Sequence, residues 1–176
     1  TIDAPYSSAG AQDCMLLKFG PGFQLEWGRF GGGDAEDLWN DVSVGANGEV
    51  FASGLASGTA VFGQETLNGA GDKDLLLARY TTDGDIEWIQ RGGGAGIDAG
   101  GGVLALGNGH ALFTGSFQGN ATFSGTTINA GGVSDIIVVE CDETGVASNI
   151  THWGMEGDNF GYGLALSPNG ALYLTG

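Results

Sequence analysis

Six acidic residues in glycine-rich stretches are the first candidates for chemistry: Asp34, Glu36 and Asp37 within residues 31–37, Asp98 closing residues 92–98, and Glu156 and Asp158 within residues 154–159. Residues 93–98, Gly-Gly-Ala-Gly-Ile-Asp, match the opening of a calcium-binding turn, in which glycines admit close carbonyl approach and the acid supplies a hard oxygen. Asp37, Asp98 and Asp158 are therefore the calcium candidates. Such turns work in tandem nonapeptides, so the competing and preferred reading is a turn whose aspartate accepts from backbone N–H groups, with no cofactor required. A second set, Asp13, Asp74 and Asp135, heads three apolar runs; here a side-chain bond that fixes the end of the preceding loop is expected ahead of ligand binding.

The two histidines, His110 and His152, share no metal-ligand spacing, and no nucleophile elbow, His-Glu-x-x-His pair or phosphate loop occurs. Trp27 and Trp88 would stack on sugars if exposed, but a repeated Trp is expected to pack, as are Phe62 and Phe123. Asn120-Ala-Thr122 and Asn149-Ile-Thr151 are glycosylation sequons that matter only in a eukaryotic secretory host. A formal charge of −16 from 21 acids and 5 bases excludes phosphate-backbone binding, because no basic surface exists to release counterions. The same charge favours solubility and recruits cations.

The spacing of these residues shows what positions them. Asp13, Asp74 and Asp135 lie 61 residues apart, and so do the segments around them, so the chain is a tandem array. Each unit has an apolar run (residues 13–19, 74–80, 135–141), a short turn, a strand carrying Glu26-Trp27 or Glu87-Trp88, and a glycine-rich connection. Then come a third strand at about 41–46, 102–107 and 163–167, an Asn-Gly turn (Asn47-Gly48, Asn108-Gly109, Asn169-Gly170) and a fourth strand. Asn-Gly between apolar runs predicts a two-residue type I′ hairpin, which needs positive φ at both positions. Between the fourth strand and the next Asp, the alternation of Ala60 with Phe62 and of Ala121 with Phe123 predicts a small extra hairpin over the unit's edge. With 36 glycines and no Gly-X-Y period, a turn-rich all-β protein is expected. Cys14 and Cys141 occupy different places in the unit and read as buried small hydrophobes.

Four short antiparallel strands per unit is the pattern of a β-propeller blade. The run Gly58-x-Ala-x-Phe62, Asn68-x-Ala-Gly-x-x-Asp74, Gly84-x-x-x-Trp88, a Gly-Gly-x-Gly-x-Asp loop and a closing Asn-Gly strand resembles the bacterial β-propeller repeat family called SBBP. The resemblance covers nearly the whole chain. It implies a secreted or surface-exposed protein and brings no catalytic residues. The expected organisation is one propeller segment, 1–176, with a half blade at 13–30, blades at 41–91 and 102–153, and a half blade at 163–176; residues 1–12 read as the tail of an earlier unit. Three blade equivalents do not close a ring, which usually takes 4–8. A longer propeller, favoured by the stop in mid-unit, and two copies joined through composite blades both remain open. The start at Thr1 suggests a mature or excised piece; no leader and no membrane-spanning apolar run is visible.

The meander sorts its connections by face. The Asn-Gly turn and the turn at Gly84 are expected on one face, the glycine-rich connection and the longer loop on the other. The second face, with its central mouth and its six acids, is the expected binding site for a protein or glycan partner. The function expected is a non-catalytic binding or display scaffold. A polysaccharide-acting enzyme whose acids converge on the mouth and a calcium-stabilised adhesin-like repeat are the alternatives.

Overall fold

The computed structural model describes residues 8–176. Of the segment read as the tail of an earlier unit, residues 1–7 lie outside the described residues. The described residues form fourteen strands, one 3-10 turn at Gly107–Gly109 and no α-helix. None of them forms a helix long and apolar enough to cross a membrane.

The strands fall into repeated meanders. The first two, β1 (Cys14–Phe19) and β2 (Leu25–Gly33), pair with each other. They are followed by β3 (Asp37–Val44), β4 (Val50–Ala56), a small hairpin of β5 (Thr59–Phe62) and β6 (Glu65–Asn68), then β7 (Asp74–Tyr80) and β8 (Ile86–Gly94). β3, β4, β7 and β8 make one antiparallel meander. A second is built from β9 (Ala99–Ala105), β10 (Ala111–Phe123), β11 (Thr126–Cys141) and β12 (Ala147–Trp153). A last hairpin joins β13 (Gly163–Leu166) to β14 (Leu172–Thr175). The hydrogen-bonded path from β12 to β3 curls into a half-barrel.

The core lies between successive sheets. Along β7 the side chains alternate: Leu76, Ala78 and Tyr80 pack with Cys14, Leu16 and Trp27 on one side, while Leu75 and Leu77 pack with Phe113, Phe117 and Ile137 on the other. A strand covered on both faces needs an unbroken apolar run, which residues 75–78 supply. Cys14 and Cys141 are buried and free, and burial pushes the Cys141 thiol up to about 12.

The extra hairpin does more than cover an edge. Ala60–Phe62 of β5 pairs with Gly31–Gly33 of the preceding sheet, and 61 residues on, Ala121 and Thr122 of β10 pair with Gly94 and Gly93. Each unit thus clamps the outer strand of the unit before it. The glycine run expected as a connection is therefore the end of a strand: β2 runs to Gly33 and β8 to Gly94. A β-carbon at Gly92 would fall 2.0 Å from the Phe123 ring, so glycine there is the seat of the incoming phenylalanine.

Asn108-Gly109 has the expected two-residue form, with φ of 62° and 76° and the His110 N–H donating to the Gly107 carbonyl, but the other two Asn-Gly turns differ from it. Gly48, Gly109 and Gly170 all have positive φ, but of the asparagines only Asn108 does. At 45–49 the Gly48 N–H donates to the Gly45 carbonyl and the Gly45 N–H to Glu49, and residues 167–171 repeat this pattern. Both are type I turns closed by a left-handed glycine. The expected sorting of faces is present. A β-carbon at Gly48 would lie 2.8 Å from the Thr82 hydroxyl, and on the opposite face the Gln118 N–H donates to Asp98.

Candidate functional site

The six acids do not converge. Asp37 and Asp98 are buried, each bridging a strand end and the start of the neighbouring loop. Asp37 accepts from the N–H of Gly33 at 2.7 Å and of Ser57 at 3.1 Å. Asp98 accepts from Gly94 at 2.6 Å and Gln118 at 2.9 Å. All four carboxylate oxygens are engaged by N–H donors, the reverse of what a calcium ion asks of a ligand. Glu36 is tied to Lys73 at 2.6 Å, while Asp34, Glu156 and Asp158 are exposed on their loops. Among the described residues no group of three or more His, Cys, Asp and Glu is arranged to hold a metal ion.

The strand-head aspartates fix the loops before them. The N–H groups of Ala9, Ala70 and Gly131 donate to Asp13, Asp74 and Asp135, at 2.8, 2.9 and 3.1 Å. Asp74 is buried and also meets Arg91 at 2.8 Å, and Arg91 in turn donates to the carbonyls of Ala56, Gly58 and Leu67. In the next unit His152 takes the place of Arg91, with Nδ1 2.9 Å from Asp135. The varied position, Phe30, Arg91, His152, opposite a constant Asp was the signal available in the sequence for this pairing.

Asp74 and Asp98 also approach each other across Gly93. A β-carbon at Gly93 would lie 2.5 Å from Asp74 Oδ1 and 2.6 Å from Asp98 Oδ2, and Asp74 Oδ1 has no hydrogen-bond partner. Burial, and then the Asp74 charge, push the Asp98 carboxyl up to about 6 against the pull of its two backbone N–H bonds. Asp13 and Asp37 repeat the arrangement at Gly32, and burial raises Asp37 as well.

On the turn face the bases and tryptophans lock units together. Trp27 Nε1 donates to the Thr82 carbonyl at 3.1 Å, Arg29 to those of Gly84 and Asp83, and Arg79 to that of Glu143. Trp27 is thus packing, as expected. Every Lys and Arg of the chain is paired with an acid: Lys18 with Glu26, Arg29 with Asp85, Lys73 with Glu36, Arg79 with Glu87 and Arg91 with Asp74.

The mouth of the inner strands is built differently. β3 and β9 lie side by side there; the Val103 N–H donates to Asp41 at 2.9 Å, the Ala105 N–H to Ser43 at 3.0 Å, and the Asn40 amide to the Gly100 carbonyl at 2.7 Å. Beyond them, before β13, Phe160 and Tyr162 stack with centroids 6.3 Å apart and planes 19° from parallel. Both are exposed, Phe160 to 40% and Tyr162 to 67%. Their backbone is fixed, since the N–H of Gly161 donates to Gly115 and that of Tyr162 to Thr175. With Asn40, Gly100, Gly101 and Ser116 they line a cavity of about 340 Å³. A larger groove of about 640 Å³ runs between β2 and β8. Its Arg29 and Glu87 are in ion pairs and its Phe62 and Tyr80 are buried, while Gln64 and Glu65 are exposed along it.

Sequence reasoning missed this aromatic pair. Aligned by the repeat, Phe160 and Tyr162 stand where the earlier units carry Leu38 and Asn40, then Ala99 and Gly101, and that substitution of small or aliphatic residues by aromatics was the readable sign. Comparison with family models and with curated proteins finds no match to this chain.

Proposed function

We propose that the meanders are blades of a β-propeller and that the chain serves as a non-catalytic, secreted or surface-exposed scaffold for a protein or glycan partner, which it meets at the mouth of its inner strands. The blade reading is supported by the 61-residue repeat, by two complete four-stranded meanders and by a core placed between successive sheets. Secretion is carried by the SBBP resemblance.

The single observation that favours a glycan is the exposed Phe160–Tyr162 pair over a cavity of about 340 Å³, within the size range of small-ligand sites. Exposed aromatic faces receive the C–H face of a pyranose, while the Asn40 oxygen, the Ser116 hydroxyl and glycine backbone offer partners to its hydroxyls. Because every Lys and Arg is engaged and the net charge is −16, the sugar that fits is not an anionic one. A glycan array followed by calorimetry tests this. Tyr162→Ala and Phe160→Ala each weaken binding about tenfold, roughly the 1.4 kcal/mol expected of a lost stacking face, while Asp34→Ala and Glu156→Ala leave it unchanged. Absence of binding to any neutral glycan, or binding indifferent to both aromatics, overturns the assignment.

A further inference from the structure

The grooves between the outer strands of successive sheets differ, although the repeat makes them equivalent. Between β2 and β8 about 640 Å³ is open, but at the same place one unit on, between β8 and β12, only about 10 Å³ is. A single hydroxyl bridges the closed groove. Ser124, in the turn after β10, accepts from the Ala147 N–H at 3.1 Å and donates to the Gln90 side-chain oxygen at 3.5 Å, so it ties the turn to both outer strands. Its counterpart 61 residues earlier is Gly63, which has no hydroxyl to offer Ile86 or Arg29. A β-carbon at Gly63 would meet only the Ile86 side chain, at 3.8 Å. Arg29, the counterpart of Gln90, donates instead to the carbonyls of Gly84 and Asp83.

The open groove has an apolar floor and an acidic rim. Phe62, Tyr80 and Ile89 are buried along it and Ile86 is half-buried, while Glu65, Asp85 and Glu87 are exposed around it. In the next unit the places of the three acids are held by Thr126, Val146 and Ser148, so the acids occur where the groove is open and not where it is closed. Arg29 is the one base on its walls and is already engaged; Arg79 meets Glu87 at 2.8 Å, and Glu65 makes no ion pair among the described residues.

We propose that this groove binds an organic cation, a primary ammonium on an apolar body, with the body against Phe62, Tyr80, Ile86 and Ile89 and the ammonium at the rim of Glu65, Asp85 and Glu87. The volume is that of a small-ligand site, and an apolar lining with a few polar groups at its edge is the usual construction of one. The apolar body supplies burial, and the carboxylates, backed by the net charge of −16, select the sign of the head group. The site is separate from the mouth of the inner strands and does not rest on the glycan reading.

Calorimetry on the 176-residue chain with 2-phenylethylamine, 2-phenylethanol and phenylacetate tests this, because the three share an apolar body and differ in charge. The amine is expected to bind one per chain, the alcohol at least about fivefold more weakly and phenylacetate not at all, with added salt weakening the amine. Gly63→Ser restores the bridging hydroxyl and is expected to abolish amine binding; Ser124 holds the same place at a φ of 46°, so the turn accepts the substitution. Glu65→Gln, on the exposed rim, keeps the fold whatever Gly63→Ser does and weakens the amine about two- to threefold. Ser124→Gly removes the bridge from the second groove, which lacks the acids, and adds no second amine. No binding of the amine, alcohol or phenylacetate binding as tight as the amine, or amine binding indifferent to Gly63→Ser or to Glu65→Gln overturns the proposal. A second amine bound by Ser124→Gly overturns the acids as the selecting feature.

Discussion

The indole of Trp27 lies over Gly84 of the next sheet so closely that a β-carbon on the glycine would sit 3.0 Å from the ring, and 61 residues further on Trp88 lies over Gly145 in the same way, at 2.7 Å. Both glycines also have positive φ, so two separate constraints act at one position. They can be separated by Gly125, which has a similar φ of 82° but no atom within 4 Å of its would-be β-carbon. Gly125→Ala is expected to cost about 1–2 kcal/mol from backbone strain alone. Gly145→Ala adds overpacking against Trp88, about 1–3 kcal/mol more. Chemical denaturation of the two variants measures the difference, and equal losses would mean that the ring exerts no pressure.

The clamp between units makes a related prediction. Gly92→Ala drives a methyl into the Phe123 ring and is expected to be among the most damaging single changes in the chain. Phe123→Ala alone empties a buried site and costs about 3–5 kcal/mol. If the two residues act on each other as seat and occupant, the double substitution is less destabilised than the two losses summed, by about 1 kcal/mol or more in a double-mutant cycle. Simple additivity would show that the close approach relaxes without the phenylalanine moving.

Stability is expected to depend on pH through Asp98. Its folded value of about 6 lies above the ordinary value of about 3.9 for an exposed Asp. Between those values the folded state holds a proton that the unfolded state has lost. The resulting stabilisation is complete below about pH 4 and is lost as pH rises through about 6. Asp37 shifts in the same direction, again because of burial. The melting temperature should therefore fall from pH 5 to pH 8. Asp98→Asn should lessen that fall while lowering stability at pH 5 by about 1–3 kcal/mol, because its single carbonyl oxygen can accept from only one of the Gly94 and Gln118 N–H groups and its NH2 then faces the other. An unchanged pH profile in the variant would remove Asp98 as its source.

The parts of the molecule legible in the sequence are those that depend on periodicity. The unit length, the buried runs at 74–80 and 135–141, the burial of Phe62 and Phe123, and the placing of turns on two faces follow from which residues recur and how they alternate. What escaped has a different cause. Residues 31–33 and 93–94 are strand because β5 and β10 pair with them, and Gly31 and Gly92 leave room for Phe62 and Phe123; a glycine run carries no sign of these partners about thirty positions away. Asp37 and Asp98 look like surface acids in a polar loop, yet their partners are backbone N–H groups brought in by folding. Phe160 and Tyr162 were hidden for the opposite reason: they depart from the repeat, and attention to what recurs passes over what does not.

The hairpin clamp bears on how the chain is made. Gly32 and Gly33 are paired only when Ala60 and Val61 have been synthesised, and Gly93 and Gly94 only when Ala121 and Thr122 have. As the polypeptide emerges, each sheet therefore waits, with its outer strand unfinished, for a piece of its successor. An array built in this way matures with a constant lag of about half a unit behind the growing end, and a stall between units leaves the last sheet open at its rim.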